Sequence, residues 1–152
     1  MAPFLLLSLC AAIVGCSHVK KIANVATLRP SPLDLNVAID RDANQNSPVA
    51  LDVVLIKDKN FWKGAQAMSA KDWFGQKGDL QRRFRSKMEV YSWEWVPGQA
   101  IPPMTVKTPR RFSGAMVFAN YPSPGTHSAP IPLGGNVIIS LRKDDFVMVT
   151  KP

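Results

Sequence analysis

Leu33-Asp34-Leu35-Asn36-Val37-Ala38-Ile39, a loop from Asp40 to Pro48, then Val49-Ala50-Leu51-Asp52-Val53-Val54-Leu55-Ile56: the fold class turns on this stretch. In the first segment Leu33, Leu35, Val37 and Ile39 share one parity and Asp34, Asn36 and Ala38 the other, the period of a half-buried strand. In the second, Val49, Leu51, Val53 and Leu55 alternate with Ala50, Asp52, Val54 and Ile56, which predicts another strand with one wholly apolar end. Between them Asp40, Arg41, Asp42, Ala43, Asn44, Gln45, Asn46 and Ser47, closed by Pro48, read as an exposed loop joining two strands of one domain. Exposed polar positions contribute little to folding, so replacing Asp42, Asn44, Gln45 or Asn46 is expected to leave stability nearly unchanged.

Downstream, residues 58–83 break the rhythm, with Phe61, Trp62, Met68, Trp73, Phe74 and Leu80 at mixed spacing. Two or three short helical turns are expected there, one capped by Ser69 with Asp72 in its first turn, their aromatics lying over an open end or edge of the sheet. Strand character returns from Phe84 to Val96 and stops at the turn Pro97-Gly98. Residues 101–107, 112–121, 136–142 and 146–151 bring the expectation to about seven strands. Short strands between Pro and Gly loops, with few helices, predict an all-β antiparallel sandwich with a short helical insertion. Tyr91, Trp93 and Trp95 share one face of their strand and read as core, with a platform for glycan or peptide as the alternative. Glu89 and Glu94 fall on opposite faces, so they cannot form a glycosidase pair within that strand.

Upstream, an apolar run from Phe4 to Val14 is too short to span a bilayer and suits the core of a secretory signal, although Met1 to Phe4 carry no Lys or Arg. Ile13-Val14-Gly15 directly precedes Cys16 and resembles the bacterial lipobox. That resemblance implies cleavage after residue 15 and lipidation of Cys16 by more than one acyl chain, enough for a stable anchor. Ser17 follows in place of an Asp retention signal, which by the enterobacterial sorting rule implies the outer membrane, on its periplasmic face. Residues 1–15 are thus expected as signal peptide, 16–32 as lipidated terminus and tether, and 33–152 as the sandwich domain.

Nineteen Lys and Arg against eleven Asp and Glu give a formal charge of +8, all of it after residue 15. Such a balance favours acidic partners, and an exported, anchored domain meets lipid and envelope proteins rather than nucleic acid. The clusters Arg82-Arg83-Phe84-Arg85 and Arg110-Arg111 lack the signature of an RNA-recognition strand and read as a solvated face or a charge-protected edge. Cys10 leaves with the signal and Cys16 is lipidated, so the domain is expected to fold without a disulfide. Only His18 and His127 occur, and HExxH, CxxC, the Gly-x-Ser-x-Gly elbow and phosphate-binding glycine loops are all missing from the sequence. His127 reads as a solvated loop residue. No catalytic residue, metal site, cofactor or small-molecule substrate is expected.

The lipobox cysteine Cys16, the segment Asn46 to Asp58, Phe61 followed by Lys71-Asp72-Trp73-Phe74, then Gly78-Asp79-Leu80, Pro97-Gly98-Gln99 and the late strand Gly114 to Tyr121 together carry a family resemblance. In order and spacing the chain resembles TssJ, the outer-membrane lipoprotein family of the bacterial type VI secretion system. The resemblance implies a transthyretin-like β-sandwich without enzymatic activity. It further implies binding to the periplasmic C-terminal domain of the inner-membrane protein TssM through the loop between the first two strands, here Asp40 to Ser47. The competing expectations are an envelope lipoprotein that binds glycan or peptide through its aromatic surface, and an assembly factor for another envelope machine.

Overall fold

Period-two burial organises a computed structural model that describes residues 31–132 and 136–151; the expected signal, Cys16 and most of the tether lie outside the described residues. Eight strands and two helices are placed among them: β1 (Leu33–Ile39), β2 (Val49–Ile56), α1 (Lys59–Ala65), α2 (Ala70–Arg83), β3 (Met88–Trp95), β4 (Met104–Val106), β5 (Gly114–Ala119), β6 (Ser128–Ile131), β7 (Asn136–Leu141) and β8 (Phe146–Lys151). They form two four-stranded sheets, ordered β4-β1-β7-β8 and β3-β2-β5-β6. Alternate residues of β1 and β7 meet odd-numbered residues of β2 and β5 in one core that includes Leu35, Val37, Leu51, Val53, Val117 and Ile139. The sandwich is therefore as expected, with one departure: β1 and β7 pair in parallel, Asp34 opposite Asn136 through Ile39 opposite Leu141.

β2 is buried on both faces because its two neighbours are different layers. Its odd residues enter the sandwich, while Val54 and Ile56 join Met116 and Phe118 beneath Phe61, Trp73 and Leu80 of the helices. The helical segment thus covers a face of the second sheet, not its end or edge. It is also more regular than the expected short turns, since α2 runs for 14 residues. Fully burying an aliphatic or aromatic side chain contributes about 1.5–3 kcal/mol. Four such side chains on the outer face of β2 and β5 make the helices worth on the order of 10 kcal/mol, an upper bound set by residual burial in the unfolded chain. They are part of the fold.

Local chemistry starts each helix where the structure has it. The Asp58 carboxylate accepts from the Asn60 and Phe61 N–H groups at 3.0 and 2.8 Å. Those bonds, led by the one from Phe61, and the Lys87 ammonium hold its carboxyl below the usual aspartate range. Ser69 Oγ accepts from the Asp72 N–H at 3.1 Å, as its position predicts. Arg82 and Arg83 occupy the last turn of α2, where cations oppose the helix dipole. Phe84 does not begin the third strand as expected. It caps α2 and stacks on Phe61 with ring centroids 4.5 Å apart.

A buried polar lock fixes α2 to the sheet. Asp52, 1% exposed, accepts from Trp73 Nε1 at 2.7 Å and pairs with Lys77 Nζ at 2.8 Å. Lys77 also donates to Ser92 Oγ of β3 at 2.8 Å, so one carboxylate joins β2, β3 and α2. β6 is the strand that the sequence reading missed. It carries Pro130 but lies at a sheet edge, where a missing N–H is tolerated.

Candidate functional site

The loop expected to be exposed is a clamped turn, buried at two of its residues. Asn44, Gln45 and Asn46 have φ values of 49°, 54° and 66°. Three consecutive left-handed residues are uncommon, and the cost is about 1–2 kcal/mol for a residue such as Gln, less for Asn. Bonds from Asn44 and Gln45 to the β7–β8 turn hold them there, and bonds at Asp40 tie the base of the loop to both sheets. On the side of the first sheet, Asp40 N donates to Leu141 O at 2.9 Å, Asn44 N to Arg142 O at 3.0 Å and Gln45 N to Lys143 O at 3.2 Å. On the other, Gly98 N donates to Asp40 O at 3.2 Å. Gly98 is the third residue of a type II turn after β3, closed by Gln99 N to Val96 O at 3.1 Å, and its φ of 74° requires glycine.

Ala43 and Asn44 are buried, at 0% and 5% exposure, so the expectation of an exposed loop fails for these two residues. Ala43 joins the sandwich core; Asn44 Nδ2 donates to Pro48 O at 2.6 Å while its Oδ1 is buried without a hydrogen-bond partner in the described structure. Its burial and its bond to Pro48 O predict that replacing Asn44 costs stability, unlike replacing the exposed residues of the loop. Asp40, Arg41, Asp42, Gln45, Asn46 and Ser47 remain exposed and form the loop's outer surface. Gln45 Nε2 reaches Asp144 Oδ1 at 3.2 Å, adding a side-chain tie to the β7–β8 turn.

The same turn is held from beneath by His127, which is 5% exposed and not the solvated residue expected. Its Nδ1 lies 2.9 Å from Asp145 Oδ1 and its Nε2 2.7 Å from Ser123 O. Ser123, His127 and Asp145 look like a nucleophile, base and carboxylate, but the geometry is wrong for that use. His127 Nε2 is committed to the Ser123 carbonyl, its approach to Ser123 Oγ is a long 3.4 Å, and that hydroxyl donates to the Asp144 carbonyl. A cavity of about 480 Å³ lined by Lys71, Tyr121, Ser123 and His127 adjoins this cluster. Burial pushes the Tyr121 phenol well above the usual tyrosine range, which keeps it neutral. The sequence hides these ties because Ser123, His127 and Asp145 come from two separate loops.

The aromatic row divides between core and flank. Trp95 is buried, while Tyr91 and Trp93 are half-buried, pack against the sandwich core and stack in file at 6.3 and 5.8 Å. Glu89 pairs with Lys57 at 2.7 Å and Glu94 faces solvent. Among the described residues no group of three or more His, Cys, Asp or Glu is placed to hold a metal ion, and no helix is long and apolar enough to cross a membrane.

No protein-family model matches the sequence, and no curated protein matches it. The fold is similar to that of several solved structures. One is Lip of Serratia marcescens, a membrane-bound component of the type VI secretion system, with a TM-score of 0.59, 17% identity, and 81% of this chain and 99% of that chain covered. Another is the type VI secretion lipoprotein TssJ1 from Pseudomonas aeruginosa, with a TM-score of 0.62, 15% identity, and 81% and 98% covered. A chain of a type VI membrane complex is similar at a TM-score of 0.59 and 12% identity, with 79% and 98% covered. The chain therefore has the TssJ fold, a transthyretin-like sandwich, across nearly the full length of those structures.

Proposed function

We propose that this chain is an outer-membrane-anchored structural adaptor of a type VI secretion membrane complex, with Cys16 as its lipidated residue and no enzymatic role. The observation that supports the role is the shared fold with a membrane-bound component and a lipoprotein of that system, over almost the whole of each. On this reading the outer surface of the 40–47 loop docks the periplasmic C-terminal domain of a TssM-like inner-membrane protein. Support for the site comes from its build. A left-handed turn tied to the β7–β8 turn, in a loop whose base is joined to both sheets, stores conformational cost, and such cost concentrates at binding sites. A loop already fixed in one shape loses little entropy on docking. The competing glycan platform is disfavoured because Trp95 is buried and Tyr91 and Trp93 spend one flank on the core.

The test uses the chain from residue 16 onward carrying Cys16→Ser, which retains every residue of the described fold. Calorimetric titration with the periplasmic C-terminal domain of the TssM-like protein from the same organism is expected to show binding. Asp42→Ala with Gln45→Ala, both on the exposed surface, is expected to weaken it at least about tenfold, the effect of losing one central polar anchor. Unchanged affinity would remove the loop from the interface, and no binding by the folded chain would overturn the adaptor reading. In cells, Cys16→Ser is expected to release the protein from the outer-membrane fraction, and retention there would refute the anchor.

A further inference from the structure

The two ends of the sandwich differ in charge, and the difference follows from where the strands start and stop. β2 ends at Ile56 opposite the start of β3 at Met88 and of β5 at Gly114, while β1 starts at Leu33 opposite the end of β4 at Val106. Hydrogen bonds join the segments at this end: Lys57 N to Lys87 O at 2.7 Å, Ser113 N to Ile56 O at 2.6 Å and Ser113 Oγ to Lys57 O at 3.1 Å. α2 begins near the opposite end, where Ala70 N donates to Thr126 O at 2.7 Å, and delivers its basic last turn here.

Among the described residues at this end, the exposed Asp34 accepts from Thr105 Oγ1 at 2.8 Å without an ion pair, and the other carboxylates are engaged by cations. Asp58 pairs with Lys87 at 3.1 Å, Glu89 with Lys57 at 2.7 Å, and Asp79 with Arg82. Lys59, Arg83, Arg85, Lys107, Arg110 and Arg111 remain exposed and, among the described residues, have no ion-pair partner. At the loop end, by contrast, Arg41, Arg142 and Lys143 stand among Asp40, Asp42, Asp144 and Asp145, and the charge nearly cancels.

The chain also enters at the basic end. Ser31, the first described residue, accepts at its carbonyl a 2.9 Å hydrogen bond from Thr108 Oγ1, in the same connection as Arg110 and Arg111. Thirty residues precede it, and Cys16 lies fifteen positions back. Fifteen residues reach at most roughly 50 Å, so an anchor at Cys16 keeps this end within reach of the bilayer surface.

We infer that the basic end, centred on Arg83, Arg85, Arg110 and Arg111, docks on the anionic phospholipid head groups of the membrane that holds the anchor. This rests on the lipid-anchor reading above. Guanidinium groups bind phosphate through paired N–H donors, and several cations near an anionic surface act together. The docked domain stands with its 40–47 loop turned away from the membrane.

The experiment again uses the chain from residue 16 onward with Cys16→Ser, so that no acyl chain contributes. It is sedimented with vesicles of phosphatidylcholine alone or with about one third phosphatidylglycerol, at low and high salt, the contrast that separates screened charge from apolar contact. Expected are binding to the anionic vesicles, loss at high salt, and none to phosphatidylcholine. Arg83→Glu, Arg85→Glu, Arg110→Glu and Arg111→Glu combined lower the partition coefficient at least about tenfold, whereas Arg142→Glu with Lys143→Glu does not. The milder quadruple Arg→Gln variant, checked for cooperative unfolding, keeps the test valid if the Glu variant fails to fold. Equal losses from the two ends, or no binding to anionic vesicles, overturn the inference. Binding to soluble polyglutamate without binding to vesicles overturns it in favour of an acidic protein partner. Acylation of Cys16, read separately by mass spectrometry of the membrane-extracted protein, fails only if the anchor reading fails.

Discussion

Asp52→Ala asks whether α2 is locked to the sheet by polar chemistry as well as by its apolar face. Asp52 is 1% exposed, Trp73 is fully buried, and the Lys77 side chain is 26% exposed. Removing the carboxylate leaves the Trp73 indole N–H buried without its acceptor, which costs about 1–3 kcal/mol. Lys77 adds less, because its ammonium turns to water and an ion pair that reaches solvent is worth about 1 kcal/mol or less. The expected destabilisation is about 3 kcal/mol, at the lower edge of what breaking a buried pair costs. Asp52→Asn retains an oxygen for Trp73 and loses only the charge, so about 1 kcal/mol is expected. With a urea slope of about 2 kcal/mol per M, the midpoints fall by about 1.5 M and 0.5 M. Tryptophan fluorescence in urea reads both. Equal shifts for Ala and Asn would refute the role given to the indole, and a shift under about 0.5 M for Ala would refute the lock itself.

The Phe61 N–H and the Lys87 ammonium hold the Asp58 carboxyl below the usual aspartate range, so its stabilising effect is complete above that range and is lost as pH falls through the depressed value. NMR titration is expected to place it below the usual aspartate range, and Asp58→Asn to flatten the acid limb of the urea midpoint against pH. His127→Ala removes the ties to Asp145 and Ser123 together with the tilted contact to Tyr121, and a loss of about 2–3 kcal/mol is expected by urea unfolding.

What the sequence shows and what it hides follow from how each interaction is encoded. The alternation of β1 and β2 is local, so both strands, the Ser69 cap and the Pro97-Gly98 turn were legible. β6 was not, because four residues containing Pro130 carry too little pattern to outweigh a strand breaker. α2 was underestimated because Gly75 and Gly78 interrupt its polar face, although Ala70, Trp73 and Leu80 keep helical spacing on the buried one. The loop was recognisable as a loop from its composition. Its conformation was not, since the turn is imposed by backbone groups of Leu141, Arg142 and Lys143, nearly a hundred residues away. Asn at positions 44 and 46 was the one local hint of left-handed backbone. The parallel β1–β7 pair was equally invisible, because strand direction depends on connections rather than on side-chain parity.

Chain order alone separates the two ends to which the proposed roles are assigned. The chain enters β1 at Leu33 and leaves it at Ile39 directly into the 40–47 loop, so one strand of seven residues stands between them. At about 3.3 Å per residue that is roughly 20 Å, longer than the Debye length of about 8 Å at physiological ionic strength. The field of the basic end is therefore largely screened at the loop, and a partner there meets the loop's own nearly balanced charges. A domain with anchor and docking loop at the same end would force partner and membrane to compete for one surface. Here the first strand places the two proposed surfaces apart, so the proposed docking on lipid at one end and on protein at the other requires no rearrangement of the sandwich. The proposed anchor would then raise the effective concentration of the loop for any partner that reaches the same surface, so that modest affinity would suffice to hold the assembly.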